Sequence, residues 1–498
     1  MKKDKRIIKN IIYGFTTKII TIALGIIIPR IFIVSYGSEL NGLISTITQI
    51  FTYLALLEAG IGNSTINALY SPLSRKSNKE INEVMTQARR YYRKVSVYYF
   101  LSVIMFSIIY PFLANTNIDY LTIFLLIIFQ GIANCSSYYF CAVYDQLLMA
   151  DGKRYITDNL VFIIHVISII IRILLIYMKL NILIVQGVYL LILLVRIPIT
   201  IIICKKKYPT LFFEIESSKH LLNERKAFIV HEISSTIFSN TDVVIISIFC
   251  NFAMASVYTV YNLIYSSLNT MINMANAGLG FLLGENINNE KLTKIYDVYS
   301  LLYSIAVFSL LTVALILTPS FISLYTRGIT DINYSIKYMP ELFTIISIMS
   351  GIRAVAARLI TVSGHADKTK NRSIIEMIIN IISSVILVYL LGVRGVLIGT
   401  IIALLYRSND IIIYANKVIL KRTPFSEYKT LIYQFLLFLI IYGFFSYNPI
   451  VCSSYLDFII KGIIVTIVVF SIYIIFTLIF DRKKIMYLKE KSLKSIKI

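Results

Sequence analysis

Uninterrupted apolar stretches constrain this chain more than any other feature of its sequence. They run for about 18 to 25 residues, and one such stretch folded as an α-helix crosses the roughly 30 Å of hydrocarbon in a bilayer. The strands of a membrane β-barrel are instead about ten residues long and alternate apolar with polar side chains. The pattern therefore predicts an all-α polytopic membrane protein with about fourteen transmembrane helices. The predicted spans are residues 11–36, 40–70, 95–114, 119–143, 156–178, 182–204, 226–250, 254–283, 299–326, 338–363, 374–391, 395–416, 428–447 and 458–480.

The distribution of Lys and Arg predicts how these helices are oriented. With the N-terminus in the cytoplasm, nearly every basic residue outside the spans falls in a cytoplasmic connection, as the positive-inside rule requires. The opposite connections carry only Lys179, Arg327, Lys337 and Arg394. We therefore expect a multi-pass protein of the bacterial cytoplasmic membrane with both termini in the cytoplasm. The formal net charge of +22 then belongs to loops beside the lipid headgroups, and no nucleic-acid partner is expected.

Catalytic and metal chemistry find little support. The five cysteines show no CxxC or paired spacing and the four histidines are scattered, so neither disulfides nor a metal site is expected. The connections on the non-cytoplasmic side are too short for a catalytic domain. A membrane glycan polymerase or ligase, the alternative from another functional class, generally needs such a domain. We therefore expect a protein that is not an enzyme.

Two copies of a six-helix unit follow one another in the sequence. In the first copy IIIPRIFIVSYG ends one helix and SELNGLISTITQIFTYLALLEAGIG begins the next, and TDVVIISIFCNFAMASVYTVYNLIYSSLNTMINMANAGLG has the same layout later. Gly42 corresponds to Ser256, 214 positions further along. The connections LLMADGKRYITDNL and LITVSGHADKTKNRSI also match, each with a glycine in a short basic loop.

The repeat predicts how the chain is divided. An N-lobe with transmembrane helices 1–6 is followed by a cytoplasmic linker, a C-lobe with helices 7–12, and a last segment with helices 13 and 14 and a basic cytoplasmic tail. The predicted boundaries are 1–204, 205–225, 226–418 and 419–498.

These motifs also carry a family resemblance. SYGSELNGL followed by LLEAGIG resembles the N-terminal signature of bacterial polysaccharide (O-antigen and capsule repeat-unit, Wzx-type) flippases, and LLGVRGVLIGTIIALL resembles the GxxG segment of their second lobe. The family belongs to the multidrug/oligosaccharidyl-lipid/polysaccharide exporter superfamily. In any polytopic protein such glycines also allow close helix packing, which is the structural explanation of the same motifs.

The resemblance implies two pseudo-symmetric six-helix lobes around a cavity, plus two C-terminal helices. It implies a flippase that moves undecaprenyl-diphosphate-linked oligosaccharide across the cytoplasmic membrane by alternating access, for surface polysaccharide biosynthesis. The partners would be that lipid-linked substrate, the bilayer and other polysaccharide-assembly membrane proteins. No cofactor is expected, and coupling to Na⁺ or H⁺ is left open. A lipid II-type flippase and a multidrug exporter of the same superfamily are the alternatives.

A flippase must carry a diphosphate and sugar hydroxyls past hydrocarbon, so ionisable side chains inside the spans are candidate site residues. Arg30 follows Pro29 in the first span, and Asp242 lies at a similar depth in the seventh. We expect Arg30 to contact substrate and Asp242 to pair with it when the outer side is closed. A static pair, or Arg30 extending toward the outer headgroups, is the structural alternative.

A second candidate gating pair joins the first two spans. Lys18 lies in the inner third of the first span, and Glu58 lies just before the glycines of EAGIG in the second. Such a pair could steady a gate or take part in cation coupling, or be purely structural.

The remaining candidates are deep cations and amides. Arg353, midway along the tenth span, suits a diphosphate because guanidinium binds it with two hydrogen bonds. Arg172 and Arg196 are also deep and could instead hold helices together, and Arg407 and Asp410 read as a local pair three residues apart. The eighth span carries an amide stripe suited to sugar hydroxyls or to hydrogen bonds between helices. It contains Asn262, Asn269, Asn273 and Asn276, of which the last three are the expected substrate contacts.

Overall fold

A computed structural model describes residues 2–58, 61–114, 116–213, 226–287, 289, 291–482 and 484, with the backbone alone for residues 2–19, 226–229 and 275–282. These residues form helices and connections, and no strand occurs among them. Eleven helices of the described chain are long and apolar enough to cross a membrane. The predicted all-α polytopic class is confirmed, and each of the predicted spans is helical over most of its length.

The first compact unit extends from Met1 to Ser256. Its helices are α1 (Lys2–Leu54), α2 (Ile61–Arg75), α3 (Asn78–Leu113), α4 (Tyr120–Phe140), α5 (Ala142–Ala150), α6 (Arg154–Tyr177), α7 (Ile182–Leu194), α8 (Arg196–Lys207) and α9 (Lys226–Phe249), and α10 (Phe252–Glu285) begins at its end. Helix α1 packs against α6 and α9, and α3 packs along α4. The predicted six-helix lobes and their boundaries stay a prediction.

The second compact unit extends from Val257 to Ile498. Besides most of α10, its helices are α11 (Leu292–Tyr325), α12 (Met339–Ile352), α13 (Ala354–Val362), α14 (Ala366–Leu391), α15 (Val393–Tyr414), α16 (Phe425–Tyr447) and α17 (Tyr455–Phe480). Helix α11 is at the centre of this unit, and 78% of the residues in its most apolar stretch are buried. It packs against α12, α16 and α17, so the C-terminal helix pair is docked on the most buried helix of the unit.

Helix α1 is two helical segments that meet at Gly37, whose φ of 86° and ψ of 166° are not helical. Beside this break the Tyr36 hydroxyl donates to the Leu180 carbonyl oxygen over 2.7 Å. On its other side the Thr116 hydroxyl donates to the Glu39 carboxylate over 2.6 Å. Residues 116 and 180 lie in the connections that follow α3 and α6. The break is therefore level with two inter-helix connections, where the first predicted span ends.

Three predicted spans are each divided into two helices. The helical path is interrupted at Cys141 between α4 and α5, at Val195 between α7 and α8, and at Arg353 between α12 and α13. A π-helical segment, Ala415–Ile419, follows α15. Such interruptions release backbone groups from the regular hydrogen-bond ladder and are frequent at functional sites. Two arginines, Arg196 and Arg353, stand at them.

The glycines of the LLGVRGVLIGT motif bring α14 and α15 together. A Cβ atom on Gly395 would lie 2.0 Å from the Leu387 carbonyl oxygen, and one on Gly399 would lie 2.5 Å from the Ser384 nitrogen. Only a hydrogen atom fits at such distances, so the two backbones touch. Close helix packing is therefore a sufficient physical reason for these two glycines.

The two loops that the repeat aligns have the same backbone conformation. Gly152 has a φ of 68° and Gly364 a φ of 73°. Each ends a helix in the left-handed region, where a side chain costs about 1–2 kcal/mol and glycine does not. On the side predicted to be external, connections are short, and the longest described one is 326–338.

Candidate functional site

A chain of charged side chains runs through the second unit beside the break between α12 and α13. Arg353 Nη1 lies 2.6 Å from Glu376 Oε1 on α14, and Arg407 Nε on α15 lies 3.5 Å from Glu376 Oε2. Arg407 Nη1 is 2.5 Å from Asp410 Oδ2, and Arg372 pairs with the other oxygen of Asp410. We call these five residues the α14–α15 ion network.

The α14–α15 ion network is buried at its centre and carries one excess positive charge. Only 6% of the Arg407 side chain and 10% of the Glu376 side chain are exposed. In such surroundings each partner depends on the other, because an unpaired buried charge is strongly destabilising. The predicted Arg407–Asp410 pair is confirmed. Arg353, expected to contact a diphosphate, has its Nη1 held by Glu376, and its contact with substrate stays a prediction.

The first unit has a partly buried ion pair at a helix break of its own. Arg196, at the break between α7 and α8, is 2.5 Å from Asp145 on α5 through its Nη2. Its Nη1 donates to the Ser137 hydroxyl over 3.2 Å. Arg196 thus ties three helices together, as the structural interpretation of this residue predicts.

Glu58 is in the short 3₁₀ segment Ala55–Glu58 that follows α1. Its Oε2 is buried and accepts no hydrogen bond from the described residues; the same is true of Asp145 Oδ1 and Gln146 Oε1. The side chain of Lys18, the predicted partner of Glu58, lies outside the described residues. The pair therefore stays a prediction.

Arg30 and Asp242 lie on helices that pack against each other, α1 and α9. Arg30 is half-buried, and Asp242 is buried with 4% of its surface exposed. The Tyr53 hydroxyl on α1 donates over 2.9 Å to the hydroxyl of Thr241, the neighbour of Asp242 on α9. The helices that carry the predicted pair are thus in contact, and the pair itself stays a prediction.

The amide stripe of α10 takes part in hydrogen bonds between helices. Asn269 Nδ2 donates to the Ser347 hydroxyl on α12 over 3.1 Å, and the Tyr303 hydroxyl on α11 donates to Asn273 Oδ1 over 3.3 Å. Asn273 is exposed, and its amide nitrogen makes no hydrogen bond with the part of the chain that the structure describes. The side chain of Asn276 lies outside the described residues.

A further polar cluster lies where the π-helical segment leads into α16. Arg422 makes two hydrogen bonds with Asp297 on α11, of 2.8 and 2.6 Å. The buried Glu427 accepts from the Tyr296 hydroxyl at 3.0 Å and from Asn416 Nδ2 at 2.6 Å. Although burial opposes the charged form, the bonds with Asp297 raise the pKa of Arg422 above its ordinary value.

Sequence reasoning missed the acidic members of these clusters, namely Asp145, Asp297, Glu376 and Glu427. Each is bonded to a residue far away in the sequence, and no local spacing signals such a pair. Their one visible signal is a carboxylate within or beside an apolar run. Among the residues that the structure describes, no group of three His, Cys, Asp or Glu side chains is arranged to hold a metal ion.

No protein-family model matches the sequence, and no curated protein matches it. Several solved structures, however, are similar to this chain. The chain is similar to the lipid II flippase MurJ in an inward closed conformation, with a TM-score of 0.69 at 16% identity over 96% of this chain and 100% of that one. It is also similar to an inward-facing multidrug resistance MATE family transporter of the MOP superfamily, with a TM-score of 0.63 at 15% identity over 80% of this chain and 94% of that one.

A MATE structure in a bent conformation gives a TM-score of 0.56 at 13% identity, over 86% of this chain and 97% of that one. At these identities the likeness concerns the fold, which this chain shares with MATE transporters and MurJ. Those proteins are named as multidrug transporters and a lipid II flippase.

Proposed function

We propose that this protein is a flippase that moves undecaprenyl-diphosphate-linked oligosaccharide across the bacterial cytoplasmic membrane by alternating access. The observation that carries the proposal is the extent of the fold likeness. MurJ, named as a lipid II flippase, is matched along 96% of this chain. The MATE structures described above are matched along 80% and 86% of it.

The buried charges give a physical reason for the same proposal. A lipid-linked diphosphate brings at least one negative charge and many hydroxyls into hydrocarbon, and the transporter has to offset their loss of water. Among the described residues of α1–α15, deep arginines and amides are frequent, whereas α16 and α17 are nearly free of them. The helices of the repeat would therefore handle the polar headgroup, and the last pair would support them.

The residues proposed to contact substrate are Arg30, Arg353, Asn269, Asn273 and Asn276. Asn273 has the most direct support, because it is exposed and its amide nitrogen has no hydrogen bond among the described residues. For Arg353 the role requires that one nitrogen stay on Glu376 while the others bind a phosphate.

Three further residues are proposed to act in gating. Asp242 would pair with Arg30 across the contact of α9 with α1. Glu58 would pair with Lys18, and its buried oxygen without a hydrogen-bond donor among the described residues supports the need for a partner.

A multidrug exporter is the second candidate function, because MATE transporters share the fold. Its substrates would be released into the medium and would need no sugar-binding amides. The shorter coverage of this chain by those structures argues for the flippase. The same proposal places the protein in the cytoplasmic membrane with both termini inside, since this orientation puts the basic connections in the cytoplasm.

Deletion of the gene, followed by leaflet-resolved detection of lipid-linked glycan, tests the proposed function. We expect undecaprenyl-linked oligosaccharide to accumulate on the inner leaflet and to reach the outer leaflet again when the gene is restored. Normal appearance of the glycan on the outer leaflet in the deletion strain would end the flippase proposal. Resistance to cationic dyes, measured in the same strains, tests the multidrug alternative, which predicts a loss of dye efflux and unchanged glycan.

A further inference from the structure

One deep arginine of the first unit is held in place by aromatic rings instead of by a carboxylate. The guanidinium carbon of Arg172, on α6, lies 4.6 Å from the centre of the Phe32 ring on α1 and 4.5 Å from that of the Tyr189 ring on α7. Helix α6 packs against both α1 and α7, so the side chain lies at the junction of three helices. Two cation–π contacts hold the guanidinium against these rings, and a guanidinium that lies over a ring face donates its hydrogen bonds from its edge.

Arg172 differs in this respect from three other deep arginines. Arg196, Arg353 and Arg407 each lie against a carboxylate at 2.5 or 2.6 Å. No acidic side chain of the described residues pairs with Arg172, and its buried Nε makes no hydrogen bond with them. Because arginine stays charged in proteins, this position keeps an uncompensated positive charge about five residues, or roughly 8 Å, inside the end of α6.

A second polar side chain lies on α7, the helix that carries Tyr189. Gln186, three residues before Tyr189 on α7, is only 7% exposed, and its side chain makes no hydrogen bond with the described residues. Gln186, Tyr189 and Gln130 of α4 line one small cavity of about 20 Å³, which is room for a single water molecule or ligand oxygen. The cavity thus presents polar side chains to a single ligand oxygen.

We propose that Arg172, in contact with the Phe32 and Tyr189 rings, is an oxyanion-binding residue of the first unit. Its ligand would be an oxyanion of the transported molecule, received edge-on by the guanidinium in two hydrogen bonds, with Gln186 holding a neighbouring oxygen or water. The oxyanion could be the phosphate of the lipid carrier or the carboxylate of an acidic sugar. The identity of the transported molecule rests on the proposed function, whereas the binding of an oxyanion can be measured without it.

The test is direct binding to the purified full-length protein in lipid nanodiscs. The probes are geranylgeranyl diphosphate, for the phosphate source, and galacturonate, for the carboxylate source, with geranylgeraniol as the uncharged comparison. We expect Arg172→Gln to weaken binding of at least one anionic probe about tenfold or more, since a charge-assisted bidentate contact is lost. Arg172→Lys keeps the charge but lacks the planar fork, so its loss should be smaller.

Arg154→Gln is the matched control, because Arg154 begins the same helix and forms an exposed pair with Asp158. It should leave both affinities unchanged. Gln186→Ala, which keeps Arg172, should weaken binding of the same anionic probe several-fold. This variant tests the site even if the Arg172→Gln protein does not fold. If only binding of the diphosphate is lost, the oxyanion is the phosphate of the lipid carrier. If only binding of galacturonate is lost, the oxyanion is the carboxylate of an acidic sugar.

Wild-type protein that binds neither anion, or Arg172→Gln and Gln186→Ala proteins that bind both as well as wild type, would overturn the proposal. These results leave glycan flipping untouched. Conversely, a deletion strain with normal outer-leaflet glycan would end the flippase proposal while leaving the measured anion site in place.

Discussion

Asn41 Nδ2 donates a hydrogen bond to Ser256 Oγ over 2.8 Å, and both side chains are buried. The bond joins the second segment of α1 to the first turn of α10. Beside it, a Cβ atom on Gly42 would lie 1.7 Å from the Phe252 carbonyl oxygen. The two small residues that the repeat aligns with each other, Gly42 and Ser256, are thus in one contact, where two backbones touch.

Replacement of Gly42 by alanine should destabilise this contact. The added methyl group meets a backbone carbonyl that cannot rotate away, so α1 and α10 have to separate, at a cost of about 1–3 kcal/mol. Thermal unfolding of the purified protein should show a lower midpoint for Gly42→Ala. Gly25→Ala is the control on the same helix, because no atom lies within 4 Å of its added Cβ. Equal midpoints for the two variants would contradict the packing described.

Replacement of Glu376 by glutamine should break the α14–α15 ion network. Arg353 then loses the Glu376 carboxylate and the buried Arg407 keeps only Asp410, which costs about 3–5 kcal/mol. We expect a clear fall in both membrane abundance and unfolding midpoint. Asp158→Asn removes the partner of Arg154 in an exposed pair and should cost less than about 1 kcal/mol. A Glu376→Gln protein as stable as Asp158→Asn would show that the network is not a structural element.

Replacement of Asp297 by asparagine tests how the C-terminal helices are docked. The change removes the charge that receives two hydrogen bonds from Arg422, so α11 loses a link to the connection before α16. Because bonds to charged groups contribute about 1.5–3 kcal/mol each, the unfolding midpoint should fall measurably. The control is Asp367→Asn, whose pair with Lys370 is at the surface, with 74% of the Asp367 side chain exposed. An effect of the same size in both variants would argue against a special role of Asp297.

The orientation of the helices is tested by labelling single cysteines. After the five native cysteines are replaced, a cysteine at Ser335, which is exposed in the connection 326–338, should react with a membrane-impermeant maleimide on intact spheroplasts. A cysteine at Thr210, exposed after α8, should react only once the membrane is opened. The reverse pattern would overturn the predicted cytoplasmic termini.

The helices could be predicted from sequence because their physical cause is local. A run of apolar residues long enough to cross hydrocarbon has few alternatives to a helix, since every backbone group must be hydrogen-bonded within the segment. The breaks at Cys141 and Arg353 could not be predicted, because no proline stands in the turn that follows either residue. The break at Val195 has a local cause that the sequence displays, because Pro198 lacks the backbone N–H that would bond the Leu194 carbonyl oxygen.

The polar contacts also divide into those with a local cause and those that depend on other helices. Arg407 and Asp410 are three residues apart on one helix, so their pairing follows from helical geometry. The partners of Arg353 and Arg196, Glu376 and Asp145, are brought in by other helices. Arg172 could be identified as deep from the sequence, but not as an arginine whose neighbours are aromatic rings.

The tight connections between helices also bear on how this protein can be trapped for study. On the side predicted to face the cell exterior, the chain turns at Gly37, at Cys250–Asn251 and at Gly392 with hardly any intervening residues. A nanobody or antibody applied from outside therefore finds few epitopes, and residues 326–338 form the longest of them. That segment joins α11 to α12. A binder raised against it would therefore contact the second unit and none of the helices of the first unit.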